Sequence, residues 1–139
     1  AASRRMTQFL RVEDALLIAH RMNFLVHDEG LLGAALARPQ MSAFGKDIYE
    51  SFDEKCAALL DGVNRNHALV DGNKRLSWVC AANFAAINGF DLVADQIEIF
   101  RTVTAVVAGD LELVALTHRI ASIRCDLVLE KITPTVGSG

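Results

Sequence analysis

Sustained strand-type alternation is missing from this sequence. So are paired cysteines, long apolar runs and an excess of positive charge. The 139 residues include three cysteines, Cys56, Cys80 and Cys125, with no C-x-x-C pair and an odd total. That argues against a disulfide framework and for reduced, mostly buried thiols in a cytosolic protein. No apolar run reaches the roughly 18 residues that span a bilayer, and no signal peptide is visible. A membrane partner is therefore not expected, and the location is expected to be cytoplasmic. The formal net charge is −3, which argues against a broad nucleic-acid or membrane-binding surface. One local basic site remains compatible with it. Aromatic residues are few, at 6%.

What is present suits close-packed helices. Hydrophobic residues make up 52% of the chain, dominated by Ala, Leu and Val. The length fits a single domain, residues 1–139, able to bury roughly two-thirds of its unfolded surface. Residues 1–6 and 130–139 read as flexible ends, with Met6 as the expected natural start.

Helical periodicity runs through residues 12–27, VEDALLIAHRMNFLVH, with Glu13 and Asp14 in the first turn and Gly30 as a stop. Residues 31–37 form a short helix ended by Arg38-Pro39, with Arg38 solvated. Residues 40–46, QMSAFGK, read as a loop. A long helix is expected over 47–65, with Ile48, Phe52, Cys56, Leu59, Leu60 and Val63 on its core stripe. Another covers 73–88 and ends at Asn88-Gly89. Asp95 with Glu98 starts a further helix to Ala108. Asp110 opens the last, after a stop at Gly109. Val-rich 102–107 is ambiguous between helix and strand. The expected fold is all-α, a compact bundle of about six helices.

One segment breaks the pattern. HALVDGNKR, residues 67–75, places a histidine, an aspartate, a glycine, an asparagine and two adjacent cations between apolar runs. A helix ends before it and another begins at about Asn73. The N–H groups of 72–75 then lack helical partners and point outward at the positive end of the dipole, which makes an anion site. Gly72 lets the backbone approach a phosphate. Lys74 and Arg75 add full charge, with Arg able to fork onto phosphate oxygens. Asp71 would repel a phosphate unless a cation lay between them, and Mg²⁺ takes such a mixture of carboxylate, phosphate and water. A plain N-cap is the competing role for Asp71. Histidine changes charge near neutrality, so His67 suits a general base acting on a hydroxyl. His20, His27 and His118 have no ligand set near them and read as ordinary histidines. Trp78 reads as core or as the wall of a nucleotide pocket. Arg65 and Asn66 flank the motif and could orient a target or a nucleotide.

The segment resembles the signature of the Fic/Doc superfamily, H-x-F-x-(D/E)-G-N-(G/K)-R. His67, Asp71, Gly72, Asn73 and Arg75 match, and Leu69 stands where Phe is usual. Lys74 in place of Gly, and Trp78 in place of the last Arg of Fic enzymes, both point to the Doc (death on curing) branch. LLGAALARPQ, EKCAALLDGVNRNH and INGFDL resemble that branch too. The resemblance implies the Fic/Doc fold and a toxin of a toxin-antitoxin pair. Its activity would be a protein kinase transferring the γ-phosphate of ATP to a Thr or Ser hydroxyl of a translation factor, elongation factor Tu, which blocks translation. It implies His67 as catalytic base, Asp71 as the Mg²⁺ ligand, and Gly72, Asn73, Lys74 and Arg75 as the phosphate-holding residues. Residues 38–46 would be a flap that holds the target backbone by strand-like pairing. The family's inhibitory pattern (S/T)-x-x-x-E-(G/N) is absent here, so a separate antitoxin with a disordered segment that folds on binding is implied. An AMP transferase of the Fic type remains an alternative. So does a non-catalytic corepressor that binds the antitoxin, with DNA touched by the partner.

Overall fold

The computed structural model describes residues 6–128, and the expected flexible ends fall mostly outside that span. Among the described residues there are six α-helices: α1 Val12–Arg21, α2 Glu29–Ala37, α3 Phe52–Asn66, α4 Asn73–Ile87, α5 Gln96–Ala108 and α6 Leu113–Ile123. Four short strands accompany them: β1 Ser42–Ala43, β2 Lys46–Asp47, β3 Phe90–Leu92 and β4 Arg124–Asp126. β1 pairs with β2 and β3 with β4, both antiparallel. The all-α reading holds, and Val-rich 102–107 is helix. None of the described helices is long and apolar enough to cross a membrane.

α3 is the axis of the bundle. Every residue from Lys55 to Asn64 is buried, so this helix is enclosed on all sides rather than on one stripe. It packs against α2, α4 and α6. Ala57 and Ala58 are fully enclosed, and Gly62 lies against Ala35 of α2. Small side chains here allow close helix approach. At one end Phe52 stacks on Phe84 with ring centroids 4.9 Å apart. Arg124 of β4 reaches Asp53 at 2.7 Å and lies over Phe90, which fastens the β3–β4 ribbon to the start of α3. Cys56 and Cys80 are free and buried, and Cys125 is free and exposed. Burial pushes the Cys56 and Cys80 thiols up to about 12, which leaves them protonated and unreactive at neutral pH.

Several boundaries differ from the periodicity. α1 stops at Arg21 and not near residue 27, because Asn23 turns left-handed at φ 60 and redirects the chain. Gly30 is not a stop: it lies in the first turn of α2, which Asp28 caps by accepting from Leu31 N–H at 3.0 Å. α3 starts at Phe52, where Ser51 and Glu54 form a reciprocal capping box. Residues 47–50 belong to the approach, and Ile48 is 46% exposed instead of joining the core. α6 starts at Leu113 with Glu112 as N-cap, three residues after the expected start.

The segment read as a loop at 40–46 contains a hairpin. Phe44 and Gly45 form its two-residue turn, both at positive φ (53° and 78°), the backbone that tight hairpins require. Two cations moor it. Lys55 is buried and donates to Asp47 Oδ2 at 3.1 Å and to the carbonyls of Tyr49 and Glu50. Arg38 is not the solvated helix stop of the sequence reading: it pairs with buried Asp61 at 2.6 Å and donates to Tyr49 Oη at 3.0 Å. Asp61 also accepts from Arg65. Leaving such a carboxylate alone in the bundle would be strongly unfavourable, and two guanidinium partners resolve it.

Candidate active site

The HALVDGNKR segment joins the enclosed helix α3 to α4. His67 ends α3 in the left-handed conformation, at φ 49 and ψ 49. A residue with a β-carbon stays there only when its surroundings hold it. They do so through α1 and the chain after it. Val26 pairs with Leu69 as an isolated antiparallel bridge. His27 N–H donates to the Ala68 carbonyl at 2.9 Å, and the His27 ring Nε2 lies 2.8 Å from the His67 carbonyl. A carbonyl can only accept, so His27 Nε2 carries a hydrogen and donates it. His27 therefore has a specific job that no local sequence signal announced. Its partner is 40 residues away.

Behind the loop, Ala68 and Leu69 are buried, at 1% and 2% exposure. Leu69 thus anchors the loop in the core. Asn73 closes it from the other side. Its Oδ1 accepts from Leu69 N–H and its Nδ2 donates to the Leu69 carbonyl, both at 3.1 Å. The side-chain amide of Asn73 thereby bonds both backbone groups of Leu69 and shapes the loop. Toward a phosphate it can offer its backbone N–H.

Gly72 is the N-cap of α4 with φ 96, and no side chain caps the helix. The reason for glycine is sharper than phosphate access. A β-carbon there would lie 2.6 Å from the Phe24 ring. Phe24 fills the space a side chain would need, and the positive φ favours glycine independently. The guanidinium of Arg75 lies over the same ring, 4.9 Å from its centroid. Phe24 thus places both Gly72 and Arg75.

Asp71 is not a plain N-cap. It precedes the cap residue, and its Oδ1 accepts from Gly72 N–H at 2.8 Å. That bond removes Gly72 N–H from the anion site. The first helical bond of α4 is Leu76 N–H to the Gly72 carbonyl. Among the described residues the N–H groups of Asn73, Lys74 and Arg75 have no acceptor. The anion site is thus three donors, 73–75, at the positive end of a 15-residue helix.

These groups face one cleft of about 370 Å³ lined by His67, Asp71, Lys74 and Arg75 together with Asn64, Val70, Phe100 and Val107. All six sequence-selected residues line it. His67, Asp71, Lys74 and Arg75 are exposed, which suits groups that meet a ligand. Asn64, Phe100 and Val107 were missed, because α3 and α5 approach the motif only in the fold. Buried Asn64 donates to the Leu60 carbonyl at 2.9 Å, while its Oδ1 is enclosed with no partner. No group of three or more His, Cys, Asp or Glu side chains gathers among the described residues. A cation at Asp71 would therefore have one carboxylate and would complete its shell with phosphate oxygens and water, the habit of Mg²⁺. The exposed carboxylate beside free N–H donors fits that arrangement.

Comparison with known proteins agrees with the motif and the helices around it. The model of the Fic/DOC family matches residues 5–85, from before α1 to the last turns of α4. The toxin Doc of Mycolicibacterium smegmatis is 50% identical over 93 residues, which cover 65% of this chain and 72% of that protein. The match takes in the loop between α3 and α4, and this chain belongs to the Fic/DOC family.

Proposed function

We propose that this protein is the toxin of a toxin-antitoxin pair and acts as a protein kinase of the Doc type. It moves the γ-phosphate of ATP to a Thr or Ser hydroxyl of a translation factor, elongation factor Tu, in the cytoplasm. The observation that carries the reading is the single cleft that gathers an exposed histidine, an exposed carboxylate, two cations and three unpaired backbone donors. A binding module has no use for that set, which counts against a non-catalytic corepressor.

The steps follow from the residues. The N–H groups of 73–75 and the charges of Lys74 and Arg75 hold the polyphosphate. Arg75 is oriented by Phe24, so less freedom is lost when it grips an oxygen. Asp71 would hold Mg²⁺, which when bound would neutralise phosphate charge. His67 takes the proton of the target hydroxyl. That oxygen forms a bond to the γ-phosphorus, the bond from the γ-phosphorus to the β–γ bridging oxygen breaks, and ADP leaves with the electron pair. The αL backbone of His67, pinned by His27, fixes where the ring can reach. The hairpin Ser42–Asp47 offers a short strand edge beside exposed Met41 and Phe44, which suits pairing with an extended target segment. An antitoxin segment that folds on binding would supply the restraint that this chain's sequence lacks.

The test uses the full chain with Mg²⁺, elongation factor Tu and ATP labelled in parallel at the α- or γ-phosphate. Label on the target only from the γ position is expected. Label from the α position would instead establish AMP transfer, and no label from either position would remove the assignment. His67→Ala should fold, still bind ATP and transfer about 10²–10⁴ more slowly. Near-full transfer would refute the general-base role.

A further inference from the structure

Asn64 is an anomaly in the enclosed helix α3. It is 2% exposed and stands one turn before His67. Its Nδ2 donates to the Leu60 carbonyl at 2.9 Å. A carbonyl only accepts, so the amide nitrogen must face Leu60 and the oxygen must face away. That oxygen, Oδ1, is enclosed and has no hydrogen-bond partner. An apolar side chain of the same size would avoid the penalty of an unmet acceptor. Buried polar atoms without partners are rare enough to need a cause.

The surroundings supply one. Asn64 and His67 both line the phosphate cleft, and they meet again in a smaller recess of about 160 Å³ with Arg65, Val106 and Val107. The two valines have no polar side-chain atom. Arg65 folds back one turn to Asp61, away from His67. The imidazole of His67 is the group left beside Oδ1 with an N–H to give. The His67 backbone is fixed by its αL turn and by His27, while the residue itself is exposed and its ring can turn.

We infer that Asn64 is a positioning residue for the base: its Oδ1 accepts the Nδ1–H of His67 and leaves Nε2 without a hydrogen, toward the target hydroxyl. The inference rests on the general-base reading of His67 and deepens it. Nδ1 is the ring nitrogen nearer the main chain, so it is the one that reaches back along α3. A neutral imidazole has one N–H and one bare nitrogen, and only the bare one takes a proton. Histidine free in water prefers its hydrogen on Nε2, the wrong tautomer for a base that acts through its tip. When Nε2 takes the target proton, the ring becomes a cation with two N–H groups. A hydrogen bond from an ionised donor is stronger than one from a neutral donor, so the contact with Oδ1 strengthens as the proton moves. Catalytic hydrogen bonds often close only when substrate orders the ring.

The test is a mutant cycle in the full chain, with label transfer from ATP to elongation factor Tu as the readout. Asn64→Leu removes the acceptor at nearly constant volume. One hydrogen bond lost should lower kcat about tenfold, with KM for ATP within about twofold. The urea midpoint should hold or rise, because an unmet buried acceptor has gone. In His67→Ala the same change should leave the residual rate alone, since no base remains to position. Nitrogen NMR of the native chain with Mg-ADP and elongation factor Tu, a complex that cannot turn over, reads the tautomer directly. Hydrogen on Nδ1 of His67 is expected. Hydrogen on Nε2 overturns the role, whether or not the leucine variant folds. If Asn64→Leu transfers at the native rate while His67→Ala is slow, the positioning role is wrong and the base stands. Equal losses in both backgrounds would make Asn64 structural and overturn it too. If His67→Ala transfers at nearly the native rate, the general-base reading falls and the positioning role with it.

Discussion

The N-termini of α3 and α4 face the same physical problem and solve it in opposite ways. Each is the start of a 15-residue helix with donors that lack helical partners. At α3 the problem is closed internally. Ser51 Oγ accepts from Glu54 N–H at 3.0 Å and Glu54 Oε1 accepts from Ser51 N–H at 3.2 Å. Asp53 and Glu54 put negative charge where the dipole favours it. At α4 the cap is a glycine with no side chain to give, no acidic residue stands in the first turn, and Lys74 and Arg75 occupy it. Both features oppose helix stability. The second start is left open, and the surrounding structure tolerates the cost.

The comparison can be broken by mutation. The largest effect is expected from Gly72→Val. A β-branched side chain at φ 96 would collide with Phe24, so the loss should be about 3 kcal/mol in denaturant unfolding, with transfer abolished. His27→Ala should come next. Losing the bond to the His67 carbonyl should lower stability by about 1 kcal/mol and slow transfer, while ATP affinity changes little, in a steady-state comparison of kcat and KM. Ser51→Ala should cost about 1 kcal/mol of stability and leave the transfer rate unchanged, because that cap serves only the fold. Lys74→Glu should have the smallest effect on stability and the opposite sign. A carboxylate in the first turn of α4 should stabilise by about 0.5 kcal/mol while ATP affinity falls. A destabilised Lys74→Glu protein would show that the cations at 74–75 have a structural role.

The difference between the two helix starts also marks what the sequence could tell. The open start was legible, because His67, Asp71, Gly72, Lys74 and Arg75 are adjacent in the chain and their chemistry is local. The frame that holds it was not. Phe24 and His27 reach the motif from 40 or more residues away, across a bridge between Val26 and Leu69. Phe100 and Asn64 join it only through packing of α5 and α3. Helix existence was legible from apolar spacing, but the start of α3 was not. Ile48 fits the periodicity, yet the Tyr49 and Glu50 carbonyls after it are held by the buried ammonium of Lys55. For the same reason Lys55 itself is only 4% exposed.

The contrast between a closed and an open helix start can be read residue by residue in the amide NMR spectrum of the full chain, titrated with Mg-ATP. The account predicts large, saturable shifts for the amides of Asn73, Lys74 and Arg75, and none for Glu54, whose N–H is already bound to Ser51. Saturating nucleotide that left the amides of 73–75 in place would contradict it, because the open start of α4 would then not be the phosphate site.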